Sequence, residues 1–232
     1  MKLFNPFFLI ISAVIFSVIF YCTGKYAKRK WIVYKTLHSQ HWQYRVKEME
    51  SLAPRAYKTI FLGNSLTEMF DLDYFFGKDS LANFGIVGDF SEGLLQRVNA
   101  VIRMKPKNLF IEIGINDMIE QIPLEQICAN YRELIKKIHD GSPDTRVFIQ
   151  SNLPVYINRP SFLTDDREVN EKVLKQNGNL RELAQETNAI YVDLYSAFKR
   201  SGYLNDLLIE DGIHLTPKAY SVWKITVAPL LE

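Results

Sequence analysis

The sequence predicts a doubly wound α/β domain with about five parallel strands, preceded by an N-terminal transmembrane helix. Two observations carry the domain. Short, continuously apolar runs alternate with longer segments of helical period, and strands buried on both faces of a sheet read that way. Each connection between those runs is long enough for the helix that a parallel crossover requires. A third observation carries the helix: residues 3–24 contain no charged side chain, and 7–20 are dominated by Phe, Ile, Leu and Val.

In chain order, the apolar N-terminal run comes first. As a helix it rises about 33 Å, enough for a bilayer core of about 30 Å. A cleaved signal peptide is the rival reading. Its apolar region would be shorter and would end in a small-x-small site. Tyr21-Cys22-Thr23-Gly24 does not fit that site, nor a lipoprotein signal, where a small residue precedes the cysteine. The expectation is a retained single-pass anchor over 1–28, and hence a membrane-bound protein. Lys25, Lys28, Arg29 and Lys30 follow the span and Lys2 precedes it. The positive-inside rule alone would place the rest of the chain in the cytoplasm, but the difference is small and the side stays open. Residues 29–57 mix aromatic and charged side chains and read as a juxtamembrane helix or linker. His38 and His41 read there as solvated, with no Cys or carboxylate at metal-ligand spacing.

The domain then occupies 58–232. Strands are expected at 59–62, 81–84, 108–113, 146–150 and 189–193. Helices are expected at 91–104, 123–139, 165–187 and 217–230. Gly141-Ser142-Pro143 stops one helix, and Thr216-Pro217 starts the last as an N-cap followed by a first-turn proline. The arrangement is a flavodoxin-like three-layer sandwich. Its 232 residues suit one such domain plus an appendage. The formal net charge of +2 lacks the basic excess that a nucleic-acid partner would demand. Cys22 and Cys128 make no disulfide framework, and Cys128 reads as a buried helix residue.

The chemistry gathers where strands end. The first leads into Gly63-Asn64-Ser65-Leu66, the second into Asn83-Phe84-Gly85-Ile86-Val87-Gly88-Asp89, the third into Gly114-Ile115-Asn116-Asp117. All three loops fall at the carboxyl edge of the sheet, where open α/β sheets bind ligands. They supply a hydroxyl, a glycine-flanked amide and a carboxamide. Acyl transfer needs that set: a nucleophile, and donors for the tetrahedral oxyanion. Far along the chain, Asp211-Gly212-Ile213-His214 offers a base and a carboxylate to orient it. Taken singly, each piece has a plainer reading: a capping serine, a turn, a capping pair. A metal-dependent hydrolase using Asp211, His214 and Asp117 is an alternative, although it lacks the several His ligands such a site prefers. A non-catalytic, membrane-tethered binding module is another.

In order and at strand ends, these motifs resemble the SGNH hydrolases, also called the GDSL esterase/lipase family. Gly63-Asn64-Ser65-Leu66 is similar to its first block, Gly88 to its second, Gly114-Ile115-Asn116-Asp117 to its third and Asp211-Gly212-Ile213-His214 to its fifth. The segment 83–89 further resembles the branch with platelet-activating-factor acetylhydrolase-like enzymes and carbohydrate O-acetylesterases. The resemblance implies Ser65 as nucleophile, His214 as general base and Asp211 as its orienting group. It implies an oxyanion hole of the Ser65 and Gly88 amides and the Asn116 side chain, with no metal, no cofactor, and a small-molecule ester as substrate. Asn64 departs from the family's aspartate, so hydrogen bonding under the nucleophile should differ. The absence of Gly-x-Ser-x-Gly argues against an α/β-hydrolase elbow. The loops after the strands are short, and Asn152, Pro154, Tyr156 and Asn158 are expected to form a mostly polar rim. The expected substrate is a short-acyl ester, such as an O-acetyl group on a sugar. Lysophospholipase, lipase-like and thioesterase activities remain open.

Overall fold

The computed structural model describes residues 6–52, 55–77, 80–156, 166–200 and 211–232, with side chains of the first helix described from Val14 onward. Helix α1 runs Pro6–Leu37 and α2 Gln40–Leu52. The break between them is capped by Ser39, whose Oγ accepts the Trp42 amide at 3.2 Å. Then follow β1 (Thr59–Gly63), α3 (Ser65–Glu68), α4 (Leu72–Phe76), β2 (Leu81–Gly85), α5 (Ser91–Met104), β3 (Asn108–Glu112), α6 (Ile115–Ile119) and α7 (Leu124–Gly141). The chain closes with β4 (Arg146–Gln150), α8 (Asp166–Glu186), β5 (Ile190–Val192), α9 (Leu194–Arg200), α10 (Pro217–Val227) and a 3₁₀ turn at Ala228–Leu230. All strand pairs are parallel, in the order β2-β1-β3-β4-β5.

Alternation along the strands builds two cores. Ile60, Leu62, Leu109, Ile111, Val147 and Ile149 face one way, toward α5, α7 and α8. Phe61, Phe110 and Phe148 face the other, toward α9 and α10. These three rings stack across adjacent strands, with centroids 4.9 and 4.3 Å apart, each contact worth about 0.5–1.5 kcal/mol beyond its burial. Parallel register puts Phe61, Phe110 and Phe148 opposite one another, and the pairing of β1 with β2 and with β3 aligns the three strand ends that carry the site.

The segment expected as a juxtamembrane helix or linker contributes to the first core. Val33, Leu37, Trp42 and Met49 are buried in it, so α2 and the end of α1 are packed on the domain. Among the described residues no helix is long and apolar enough to cross a membrane. The described side chains of α1 begin at Val14 and reach Lys25, Lys28, Arg29 and Lys30 within a few turns. The more apolar first half of the expected span lies outside the described side chains.

Candidate active site

β1 ends at Gly63, and the chain turns at once into α3, whose first residue is Ser65. A Cβ on Gly63 would lie 2.2 Å from Thr67 Oγ1 and 2.3 Å from the Glu112 carbonyl oxygen. A Cβ on Gly85 would lie 2.1 Å from the Glu68 amide nitrogen. With no side chain at either place, α3 sits directly on the ends of β1 and β2. Asn64 caps α3, its Oδ1 accepting the Leu66 amide at 2.8 Å. Ser65 is thereby held at a helix start, buried but for its hydroxyl's neighbour from the far end of the chain.

That neighbour is His214. Gly212 takes φ +75°, a left-handed turn that glycine adopts without penalty. The turn folds Asp211 back so that its Oδ1 accepts the Ile213 and His214 amides, both at 2.9 Å, while Oδ2 meets His214 Nδ1 at 2.5 Å. His214 Nε2 then lies 2.9 Å from Ser65 Oγ. Partial burial pushes the Asp211 carboxyl up, but the His214 ring and the two amides together outweigh it and hold the group below its ordinary value. A carboxylate on Nδ1 fixes the tautomer with its proton there, leaving Nε2 to accept the serine proton. Two ties keep the pieces in register: the Tyr156 amide donates to the Gly212 carbonyl at 3.0 Å, and the Tyr220 hydroxyl of α10 donates to the Leu66 carbonyl of α3 at 2.9 Å.

The turn after β2 shows where an oxyanion would go. Ile86 N–H donates to the Gly63 carbonyl, Val87 N–H to Glu68, Asp89 N–H to the Ile86 carbonyl and Phe90 N–H to Asp89 Oδ1. Among the described residues, Gly88 N–H alone in this turn has no acceptor. Gly88 adopts φ +76°. The Asn116 side chain, at the start of α6, reaches the same turn, donating through Nδ2 to the Asp89 carbonyl at 2.9 Å. A carboxamide has a second N–H to offer. Asp117 turns the other way. It accepts the Ser91 amide at 3.1 Å and the Ser91 hydroxyl at 2.6 Å, securing the start of α5. Burial raises it to about 6. Asp117 therefore does not join Asp211 and His214, and among the described residues no group of three or more His, Cys, Asp or Glu could hold a metal ion.

Several supporting residues escaped sequence reasoning. Asp89 and Arg97 form a buried ion pair at 2.8 Å. Asp89 also accepts Trp42 Nε1 at 3.0 Å, and Arg97 donates to the Phe84 and Gly63 carbonyls at 2.7 and 2.8 Å. Burial pushes the Asp89 carboxyl up and the Arg97 guanidinium down, each drawn part of the way back by the other. Glu112, fully buried on β3 beside Gly63, accepts Asn152 Nδ2 at 2.9 Å. Burial lifts it to about 7, against the pull of the Asn152 and Asn64 amides. Asn64 Nδ2 and Glu112 Oε2 lack a hydrogen-bond partner, so the attraction between these two side chains is electrostatic rather than a formed bond. An acidic residue in an otherwise apolar strand was the signal available for Glu112. The expected rim is corrected in part: Asn152 and Pro154 are buried, because the Asn152 amide is needed by Glu112 and by the Ile113 carbonyl. Tyr156 stays half-exposed, and Asn158 lies outside the described residues. His41, exposed as expected, also lies 3.2 Å from Glu68.

The sequence profile of the GDSL-like Lipase/Acylhydrolase family matches residues 61–222, which include all of these loops. The chain belongs to that family. It is a hydrolase acting on esters. Solved structures show the same fold in this acylhydrolase family member's neighbours. A Streptococcus pneumonia protein provisionally described as a platelet activating factor is 22% identical, with a TM-score of 0.73 over 91% of this chain and 99% of that one. A GDSL-like lipase from Bacteroides thetaiotaomicron is 19% identical, with a TM-score of 0.67 over 80% and 96%. The acetylxylan esterase Axe2 from Geobacillus stearothermophilus is 19% identical, with a TM-score of 0.59 over 75% and 94%. A comparison with curated proteins gave no match.

Proposed function

We propose that this chain is a serine esterase that removes short acyl groups, acetyl above all, from a carbohydrate or similarly polar alcohol. The observation that carries the reading is the line Ser65 Oγ, His214 Nε2, His214 Nδ1, Asp211 Oδ2, with contacts of 2.9 and 2.5 Å. Ser65 Oγ attacks the ester carbonyl as His214 Nε2 takes its proton. Asp211 holds the ring and stabilises the imidazolium. The carbonyl oxygen becomes an oxyanion facing the Ser65 and Gly88 amides and the Asn116 carboxamide. Collapse expels the alcohol, which takes the proton from His214, and leaves an acyl-Ser65. Water, deprotonated by His214, attacks that ester in turn and releases the acid.

Short acyl groups are favoured because, among the described residues, most of the large apolar side chains after β1 are engaged elsewhere. Phe70 and Leu72 are buried in the second core, with Phe75 and Phe76 packed against it. Each methylene in an apolar pocket is worth about 1 kcal/mol or a little more, and the described residues offer few free apolar side chains to collect it from a long chain. The test is kcat/KM for p-nitrophenyl esters from acetate to palmitate, below their micelle limits. Acetate should lead. A steady rise with chain length would overturn the acyl preference and indicate a lipase-like or lysophospholipase activity.

We propose further that the protein is held at a membrane by its apolar N-terminal segment. Supporting it are Val14, Ile15, Phe16, Val18, Ile19 and Phe20, all well exposed on α1. Recovery of the full chain in the alkaline-washed membrane fraction is expected; release into the wash would refute anchoring.

A further inference from the structure

Glu68 lies three residues beyond Ser65, at the last position of α3. Its side chain is 17% exposed, and three groups from two other places converge on it. Val87 N–H, in the turn after β2, donates to Oε2 at 2.5 Å. From α2, His41 Nε2 lies 3.1 Å from Oε1, and Arg45 Nε lies 3.4 Å from the same oxygen. Arg45 reaches further, donating through Nη2 to the Asn83 and Gly85 carbonyls at 3.3 and 3.2 Å. Glu68 thus ties the nucleophile's helix to the residue just before Gly88, and α2 braces the tie.

We infer that Glu68 is a positioning residue for ester hydrolysis, setting the Gly88 amide for the oxyanion through its bond to the Val87 amide, with Arg45 and His41 of α2 holding it in place. The inference rests on the serine-esterase reading above. An oxyanion donor acts through its placement, since the charge appears only in the transition state. The other amides flanking Gly88 are held by main chain or by Asp89, within or beneath the turn. Val87 alone is held by a side chain from the nucleophile's own helix. Fixing it relates the two oxyanion amides, Ser65 and Gly88, to each other.

Glu68→Ala, Glu68→Gln and Arg45→Gln in the full chain test the assignment. The readouts are kcat and KM with p-nitrophenyl acetate, and the inhibition constant of a phenylboronic acid, which forms a tetrahedral adduct on a reactive serine. Misplacing a donor costs up to about 10² in rate. Glu68→Ala should therefore lower kcat about 10–100-fold, with KM within about threefold and boronate affinity falling in parallel. Glu68→Gln keeps an oxygen for the Val87 amide and should recover most of the loss. Arg45→Gln leaves that bond but removes its brace, and should lower kcat severalfold at constant KM. It decides the matter if Glu68→Ala fails to fold. Unchanged kcat in the folded variants, a loss confined to KM, or a Glu68→Gln as impaired as Glu68→Ala would overturn the inference. A wild-type chain inert to both ester and boronate would instead overturn the esterase reading on which it stands.

Discussion

Glu112→Gln separates the effect of one buried carboxyl from everything else that titrates. Burial lifts the Glu112 carboxyl from 4.5 to about 7. A folded-state value above the unfolded one means that the native protein binds an extra proton between those two values. Stability therefore falls as pH rises through that window, because unfolding lets the group ionise in water. That difference corresponds to roughly 3 kcal/mol at full ionisation; from pH 5 to pH 8 the change amounts to about 2.5 kcal/mol. Glutamine carries no such dependence. Its amide nitrogen would face the Asn64 amide nitrogen, donor against donor, a cost of about 1–3 kcal/mol that pH does not alter. Asp117, raised to about 6, adds its own slope equally to both proteins. Urea denaturation of wild type and variant at pH 5 and pH 8, followed by circular dichroism, isolates the contribution of this carboxyl. The variant should gain about 2–3 kcal/mol on wild type between the two conditions. Parallel pH dependences would refute the argument and mean that Glu112 is solvated or compensated in the folded protein.

Three further outcomes are expected. Ser65→Ala and His214→Ala should each remove nearly all esterase activity, and the double variant should be little worse than either, because such groups act as a unit; losses that multiply would undo the assignment. Asn116→Ala should lower kcat about 10²–10³ with a smaller change in KM, measured on p-nitrophenyl acetate; an unchanged kcat would leave Asn116 as a tie to the Asp89 carbonyl only. Deleting 1–28 should leave a folded, active domain, whereas deleting 1–53 also removes Val33, Leu37, Trp42 and Met49 from the core and should leave the chain insoluble or cooperatively unfolded at far lower urea. Equal denaturation midpoints for the two truncations would show that α2 contributes nothing.

The parts of the fold that the sequence disclosed are those whose signal is local. The central strands carry unbroken apolar runs, and helix α5 was expected with the bounds it has, Ser91–Met104. Helices α3, α4 and α6 were not foreseen, because at four or five residues they are too short to show a period. Ser65, Asp211 and His214 were legible because turn chemistry and strand ends mark them. Asp89, Arg97, Glu68 and Glu112 were not. Their roles depend on partners tens of residues away, such as Trp42 for Asp89 and Asn152 for Glu112, and no spacing rule links such pairs. The pairing of the exposed His41 with Glu68 was unforeseen for the same reason: Glu68 lies beyond any local window.

The continuity of α1 has a mechanical consequence. The helix runs without a break from Pro6 to Leu37, and its last turns are wedged into the domain by Val33 and Leu37. A link of glycine and serine would be a leash, letting the domain swing. A helix locked in by its own side chains is a spar without a swivel. Fifteen residues separate Tyr21 from Thr36, whose methyl would meet a Cβ at Gly88 at 3.7 Å; at 1.5 Å per residue that is about 22 Å. If a membrane grips the apolar end, as proposed above, it therefore also sets the height and the heading of the cleft at the other end, and an ester outside that narrow shell would have to come to the protein rather than be reached by it.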